Sequence, residues 1–332
     1  MTDTTATTTT THDAPQMPPG WESEADTLVV LTDPSGAARA WFAPALGGNT
    51  LAFAVRTGGG EWVQVLAYAD PATVRAQPTR YGSAVLFPFP GHTRGGTYQW
   101  GGVTYTLPGP LSSGGTITHG FAQKHPWHIA ETTASSVTAR FETPADLAPD
   151  EREAYPFAVT VTETVHLAGN ALYISLEATN NDAKNVPIGI ALHPYFAVAA
   201  LGGTRDGVQV SLAGATERVL SPPIPTEETR PAPGDFTAVP VGTVDTRSRT
   251  AIDAGADATL TGATGRVRFT HVEGAHDLLY FAPPWQESLS LEPHSLMPSA
   301  ASYPEGHSNG LPAIAPGETV RLAIRVAFEA LQ

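Results

Sequence analysis

Three ionisable side chains in separate stretches of the chain could together transfer protons. His119 lies in "ITHGFAQKHPWHI", His193 in "IGIALHPYFAV" and Glu292 in "LSLEPHSLMP". A histidine titrates near ~6.5 and can donate a proton at neutral pH, whereas an ionised carboxylate can accept one. Two histidines and one glutamate brought to one site would therefore form a set for general acid–base catalysis.

The local sequence indicates how Glu292 and His193 would be held. In "SLSLEP" leucines alternate with Ser290 and Glu292, which predicts a strand with one apolar and one polar face. Pro194 keeps His193 extended and removes a backbone donor, so we expect His193 and Glu292 at strand ends that face a cleft. Two plainer interpretations stay open: a surface carboxylate for Glu292, and a core or edge histidine with a hydrogen-bond partner for His193.

The stretch around His119 also raises a metal alternative. His119 precedes Gly120, which allows a close backbone approach or a positive φ there. His119, His125 and His128 form a histidine trio of the kind that can hold zinc. Their spacing matches no short helical zinc motif and Pro126 interrupts the segment, so we expect no metal. Phosphate-binding GxxxxGK[ST] and serine-hydrolase GxSxG motifs are absent from the sequence.

The elements that must position these side chains are strands almost throughout. "FAVTVTETVHLAGNALYISLEATN" alternates apolar and polar residues on both sides of "AGN", which predicts a hairpin with one buried face. "TYQWGGVTYTLPG" predicts a second hairpin, and "GETVRLAIRVAFEAL" a C-terminal strand. Only "PADLAPDEREAY" resembles a short helix, and residues 221–235 are predicted to form a long surface loop. The fold class is all-β, a sandwich or a barrel.

Composition narrows the possible partners and the location. The 332 residues carry a net charge of -14 and no cysteine, which excludes disulfides and thiolate metal sites. The acidic balance argues against nucleic acid or anionic membrane as a partner, and no apolar run could span a bilayer. Residues 1–20 are Thr-rich, resemble no secretory signal and have almost nothing to bury. We therefore expect a disordered tail before a single domain over residues 21–332, in the cytoplasm.

The ordered stretches "THGFAQKHPW", "PIGIALHPYF" and "LSLEP" resemble the signature of the aldose 1-epimerases, or galactose mutarotases. The resemblance extends over roughly residues 25–330 and includes "NGLPAIAPGETVRLAIRVAF" near the end. It implies a large antiparallel β-sandwich, the galactose mutarotase-like supersandwich. It also implies interconversion of the α and β anomers of a free aldohexose, without a cofactor or a metal. The expected partner is a small sugar, and the expected assembly is a monomer or a homodimer.

The resemblance further implies a role for each of the three ionisable residues. Glu292 would be the general base that takes the proton from the C1 hydroxyl. His193 would be the general acid that protonates the ring oxygen, and His119 would assist at that oxygen and orient the sugar. The ring would open, the C1–C2 bond would rotate, and the ring would close on the other face.

Departures from the family pattern concern the residues that would bind the sugar. The family has Asn-Arg after "PFP", and that arginine contacts sugar hydroxyls, whereas "PFPGHTRGG" places His92 there and Arg94 two residues on. The arginine that often follows "HGFA" is Gln123. We expect His92 or Arg94 to contact the sugar, together with Tyr195.

An acidic sugar-binding residue is usual in the family before the last strands. Asp253 in "AIDAGAD" is the candidate here, with Asp257 close behind. The changes in sugar-binding residues leave the reaction type in place and the identity of the sugar open.

Three alternative functions fit the sequence less well than anomer interconversion. A hexose 6-phosphate 1-epimerase would use arginines for the phosphate, and two expected arginines are missing from an acidic chain. A non-catalytic carbohydrate-binding sandwich would keep aromatic residues such as Trp127 and Trp285 but would not need the three ionisable residues together. A glycoside-cleaving enzyme needs paired acids, for which Glu292 has only Asp253 as a possible partner.

Overall fold

The computed structural model describes residue 15 and residues 17–214, 216–221, 224–245, 249–253 and 257–332, and its regular structure is mostly strand. The strands up to residue 180 are β1 (Val29–Thr32), β2 (Ala38–Ala43), β3 (Asn49–Arg56), β4 (Trp62–Gln64), β5 (Ser83–Leu86), β6 (His92–Arg94), β7 (Thr97–Trp100), β8 (Val103–Thr106), β9 (Thr116–Thr118), β10 (His128–Thr132), β11 (Ser136–Thr143), β12 (Val159–Ala168) and β13 (Ala171–Asn180). The later strands are β14 (Val186–Pro187), β15 (Ala191–Ala197), β16 (Gln209–Leu212), β17 (Thr216–Ser221), β18 (Ile224–Pro231), β19 (Phe236–Thr237), β20 (Arg249–Asp253), β21 (Ala258–Thr261), β22 (Gly265–Glu273), β23 (Asp277–Phe281), β24 (Ser288–His294), β25 (Ala313–Ile314) and β26 (Thr319–Ala330).

Helical structure is limited to short segments between strands. The α-helices are α1 (Pro71–Ala76), α2 (Pro149–Ala154) and α3 (Val198–Leu201). Short 3₁₀ segments lie at Glu22–Thr27, Pro44–Leu46, Ala122–Lys124, Arg205–Gly207 and Ala300–Ser302. Within the described part of the chain, no helix has the length and the hydropathy that a membrane span requires.

Two large antiparallel sheets and three two-stranded ones, β6-β9, β7-β8 and β14-β25, make up the architecture of the described residues. The eleven-stranded sheet has the order β1-β2-β3-β5-β15-β24-β23-β20-β17-β18, with β4 paired to β3. The nine-stranded sheet has the order β10-β11-β12-β13-β26-β22-β21-β16-β19. One apolar core includes residues of both sheets, and Phe87, which directly follows β5 of the first sheet, meets Phe141 of the second edge to face at 6.4 Å between ring centroids. The predicted all-β class and antiparallel sandwich are confirmed.

The predicted local elements are confirmed where the hydrophobic alternation was strongest. β12 and β13 form the long hairpin, and their pairing ends at Ala168 and Ala171 on either side of the predicted turn. β7 and β8 turn at Gly101 and Gly102, whose φ angles of 59° and 75° fit the primed turns that close two-residue hairpins. The helix α2 and the strand β26 also occur where the sequence predicts them.

The prediction of a long surface loop over residues 221–235 is wrong. Ile224–Pro231 forms β18, which pairs with β17 so that Thr216 is opposite Pro231. β18 is the last strand of its sheet, and an edge strand tolerates proline because one side of its ladder has no neighbour to bond. The predicted tail, residues 1–20, lies largely outside the described residues, although the Pro15 carbonyl accepts a hydrogen bond from Arg39 at 2.9 Å.

One carboxyl group occupies a core position in the nine-stranded sheet. The inward residues of β12 alternate with partly exposed threonines, and Glu163 takes an inward position with none of its surface exposed. Neither carboxyl oxygen has a hydrogen-bond partner among the described residues. Burial therefore raises the pKa of Glu163 well above its usual value.

The buried Glu163 predicts a pH-dependent loss of stability. As the pH rises above the unfolded pKa near 4.5, the unfolded chain ionises while the folded chain keeps the proton. The free energy of unfolding should then fall by up to about 1.4 kcal/mol per pH unit until the folded pKa is reached. Glu163→Gln should remove this slope, as measured by urea unfolding between about pH 5 and pH 8.

Glu177→Gln is the matched control, since Glu177 lies on the neighbouring strand β13 and pairs with Arg321 at a half-exposed position. It should retain the wild-type pH slope. A Glu163→Gln protein with the same slope as the wild type would show that Glu163 ionises normally in the folded chain.

Candidate active site

His193 and Glu292 face each other across two central strands of the eleven-stranded sheet. Tyr195 of β15 is opposite Ser290 of β24 in this antiparallel pair, so His193 and Glu292 are opposite each other as well. The Nε2 atom of His193 lies 3.3 Å from Oε1 of Glu292. The strand register thus brings a potential acid and a potential base into direct contact.

The expected position of His193 and Glu292 at strand ends is wrong, since both lie inside their strands. Pro194 continues β15 and is opposite Ser83 of β5, because a missing donor removes one ladder bond without ending the extended chain. Only 4% of His193 and 3% of Glu292 is exposed, which excludes an ordinary surface carboxylate. The site lies on the face of the sheet.

Strand β24 presents a buried polar row on this face. Leu289 and Leu291 point into the core between the sheets, as the alternation predicts. The other face carries polar side chains, each at most 3% exposed: Ser288, Ser290, Glu292 and His294. Four polar residues in succession on a buried strand face are unusual for a structural core and mark this face as a candidate functional site.

His119 reaches the site from the segment that follows β9. It has a φ of 68°, and the next residue is Gly120, where a Cβ would lie 2.3 Å from the carbonyl oxygen of Phe87. The backbone N–H of Gly91 donates to His119 Nδ1 at 3.3 Å, so the neutral ring carries its proton on Nε2. The ring centroids of His119 and His193 are 5.4 Å apart. A backbone conformation that is uncommon for histidine therefore places its ring beside the acid–base pair.

The electrostatic environment differs among the three ionisable groups. Burial, reinforced by His193, lowers the pKa of His119 well below its ordinary value, so His119 is a neutral donor. Burial also lowers the pKa of His193, with Glu292 opposing this shift. Burial alone would raise the pKa of Glu292, but His193, His294 and Arg249 outweigh it and lower the pKa. Glu292 is therefore an ionised base at neutral pH.

Tyr195 supports the orientation of the His193 ring. The two rings stack with centroids 4.8 Å apart and planes 16° from parallel, and Tyr195 is 1% exposed. Because the imidazole is held by this stacking, its Nε2 stays directed at Glu292. His193 and Glu292, with Nε2 and Oε1 3.3 Å apart, can therefore exchange protons with neighbouring atoms of one bound molecule.

Arg249 belongs to the site although sequence analysis missed it. It begins β20, where it is opposite Phe281 and its guanidinium lies 4.6 Å from the Phe281 ring centroid. Its Nη1 lies 3.4 Å from Nε2 of His92, whose Nδ1 lies 3.0 Å from Oγ1 of Thr116. Burial and Arg249 together lower the pKa of His92 to about 4. His92 is thus a neutral ring that bridges an arginine and a threonine.

The other sequence candidates for sugar binding lie in different settings. Arg94 is exposed, and its backbone N–H donates to Oγ of Ser302 at 2.9 Å. Asp253 ends β20 with its backbone opposite Asp277, but its side chain lies outside the described residues. Asp257 is exposed. Arg249 therefore supplies the guanidinium that contacts His92, and the binding roles of Arg94 and Asp253 remain predictions.

The histidine trio does not converge on a common point. His125 Nε2 lies 2.5 Å from Oε2 of Glu151, and His128 Nε2 lies 3.0 Å from Oδ1 of Asp146. In the portion of the chain with described coordinates, no group of three or more His, Asp or Glu residues could hold a metal ion. The metal alternative thus gains no support from His125 and His128, each of which already faces a carboxylate.

The sequence matches the family model of aldose 1-epimerase over residues 29–325. Among curated proteins it resembles the uncharacterized protein YihR of Escherichia coli K12, with 29% identity over 127 residues. That alignment covers 38% of this chain and 39% of YihR. The uncharacterized protein YphB of the same organism is 24% identical over 111 residues, which is 33% of this chain and 35% of YphB.

Solved structures share the fold over nearly the whole chain. A galactose mutarotase-like protein from Clostridium acetobutylicum has a TM-score of 0.73 at 17% identity, covering 89% of this chain and 94% of that one. A galactose 1-epimerase from Lactobacillus acidophilus has a TM-score of 0.70 at 16% identity, with coverages of 92% and 95%. Together with the family model, which spans most of the sequence, this places the chain in the aldose 1-epimerase family.

Proposed function

We propose that this protein is an aldose 1-epimerase that interconverts the α and β anomers of a free aldohexose. The observation that carries the proposal is the contact of 3.3 Å between Nε2 of His193 and Oε1 of Glu292, with the His119 ring beside it. Anomer interconversion needs one proton removed and one delivered at two oxygens bonded to the same carbon. An acid and a base that nearly touch suit two reacting oxygens so close together, one that loses a proton and one that gains a proton.

In the proposed mechanism, Glu292 takes the proton of the C1 hydroxyl while Nε2–H of His193 protonates the ring oxygen. The bond between C1 and the ring oxygen breaks, which leaves an open-chain aldehyde, a protonated Glu292 and a neutral His193. After rotation about C1–C2, Glu292 returns its proton to the carbonyl oxygen and His193 removes the proton from the former ring oxygen as the ring closes. The enzyme regains its starting protonation state, and no metal or cofactor is required.

The remaining site residues would bind and orient the sugar. The neutral His119 can donate its Nε2–H to the ring oxygen, because its Nδ1 already accepts from Gly91. Arg249 and His92 contact each other and both interact electrostatically with Glu292, so they can hydrogen-bond to sugar hydroxyls there. Asp253 keeps its sugar-binding role on the family resemblance. We assign these roles as parts of the same proposal.

A polarimetric comparison of sugars tests the proposed activity and separates it from its alternatives. Freshly dissolved α-D-glucose, α-D-galactose and α-D-glucose 6-phosphate are followed with and without protein. We expect faster mutarotation of at least one free sugar and a lower kcat/KM for the 6-phosphate. A higher kcat/KM for the 6-phosphate would identify a hexose 6-phosphate 1-epimerase. Sugar binding without any acceleration would identify a non-catalytic carbohydrate-binding sandwich.

A further inference from the structure

Ser290 is a fully buried hydroxyl residue in contact with the proposed acid. It lies on β24 two residues before Glu292, with none of its surface exposed. Its Oγ is 3.1 Å from Nδ1 of His193 and 2.9 Å from the backbone oxygen of Pro194. Ser290 thus contacts the ring nitrogen of His193 that faces away from Glu292.

The directions of the two Ser290 hydrogen bonds follow from the chemistry of a hydroxyl. A carbonyl oxygen can only accept, so the single hydroxyl proton of Ser290 goes to Pro194. Only an Oγ lone pair is then available to His193, and Nδ1 of His193 must be the donor. The contact fixes a proton on Nδ1.

We propose that Ser290 is a positioning residue that holds a proton on Nδ1 of His193 and so reserves Nε2 for the proton exchanged with the sugar. This inference rests on the proposed function of His193 as a general acid. With Nδ1 protonated, a proton on Nε2 belongs to an imidazolium ion, which is acidic enough to give that proton to a sugar oxygen. When that proton has left, Nε2 presents a lone pair that can accept a proton as the ring closes.

The alternative tautomer would serve the reaction poorly. A neutral imidazole protonated on Nε2 holds that proton far too tightly to give it to a sugar oxygen, and its free lone pair on Nδ1 points away from Glu292. Breaking the Ser290 contact would allow this tautomer, because an Nε2–H beside the Glu292 carboxylate makes a charge-assisted hydrogen bond. Ser290 therefore opposes a tautomer that the base itself would favour.

Several charged or titratable groups surround His193 and bear on its protonation. They come from β24, β20, β15 and the segment after β9: Glu292, His294, Arg249, Tyr195 and His119. Ser290 contacts Nδ1 of His193, whereas Glu292 contacts Nε2, so loss of the Ser290 hydroxyl affects the proton on Nδ1 directly. A measurement of the tautomer is thus more specific to Ser290 than a measurement of rate.

The test is ¹⁵N NMR of the full-length protein labelled in its histidines, recorded without sugar, with the His193 signals assigned by a His193→Gln spectrum. As the pH rises, Nε2 of His193 should lose its proton while Nδ1 keeps it. In Ser290→Ala the neutral ring should shift toward the Nε2–H form. Ser288→Ala is the matched control, since Ser288 is buried on the same strand face and accepts from Gln286 at 2.6 Å. It should keep the wild-type tautomer.

The activity of the same variants provides the second measurement. Ser290→Ala should lower kcat roughly 10-fold, the effect of losing one buried hydrogen bond to the acid, with little change in KM. A wild-type His193 that keeps its proton on Nε2 when neutral would overturn the proposal, even in a protein that is active. Absence of mutarotation with the Nδ1–H tautomer present would instead contradict the proposed function alone.

Discussion

Glu292→Gln should lower kcat for anomer interconversion by roughly 10²- to 10⁴-fold, the usual contribution of a positioned general base. Glutamine keeps the shape of the side chain but cannot take the proton of the C1 hydroxyl. KM should change little, because the amide can still hydrogen-bond to that hydroxyl. Initial rates of optical rotation at several concentrations of fresh α-D-sugar separate kcat from KM.

The pH dependence of the wild type provides a second check on Glu292. The neighbouring His193, His294 and Arg249 keep the pKa of Glu292 below 4.5 despite its burial. The base is active when ionised, so kcat/KM should persist through mildly acidic pH and fall only as the pH drops through that lowered pKa. A loss of activity that begins near neutral pH as the solution is acidified would contradict an ionised Glu292 base. Equal kcat in Glu292→Gln and the wild type would show that the carboxylate takes no part in the reaction.

His193→Gln should have the second large effect, a loss of kcat of roughly 10²- to 10⁴-fold, because it removes the imidazolium that protonates the ring oxygen, while the neutral His119 can only hydrogen-bond to that oxygen. His128→Gln is the matched control, since His128 is largely exposed and pairs with Asp146 away from the site. The control should keep the wild-type kcat, and both variants should unfold at temperatures near that of the wild type. Equal activity of His193→Gln and His128→Gln would remove His193 from the mechanism.

Glu292→Gln should also change the titration of His193 in a defined direction. The carboxylate at 3.3 Å favours the protonated imidazole and thereby opposes the effect of burial on the His193 pKa. Without that charge the pKa of His193 should fall further below its ordinary value. An NMR titration of the His193 ring in both proteins measures this shift, and an unchanged or higher pKa in the variant would contradict the ion-pair contact.

The local features of this fold could be predicted because their causes are local. The alternation of apolar residues in β12, β13 and β26 determines a buried face without reference to distant residues. The edge strand β18 was missed because its prolines suggest a loop. Only its place at the end of the sheet order explains why they are tolerated.

The site could be predicted in part, for a related reason. His119, His193 and Glu292 lie in short stretches of distinctive sequence, so their residue types could be identified. Arg249 and Ser290 have no such stretch, and they join the site only through pairing of β20, β23, β24 and β15. The sequence also could not show that Pro194 lies inside a strand, since that depends on the register with β5.

The most direct test of the central claim compares the wild type with the Glu292→Gln/His193→Gln double variant. The measurement is the rate of optical rotation change of fresh α-D-glucose and of fresh α-D-galactose at neutral pH. We predict that the wild type accelerates mutarotation of at least one sugar far above the buffer rate, while the double variant, folded by circular dichroism, does not. Equal rates in the two proteins would contradict an acid–base reaction carried by His193 and Glu292.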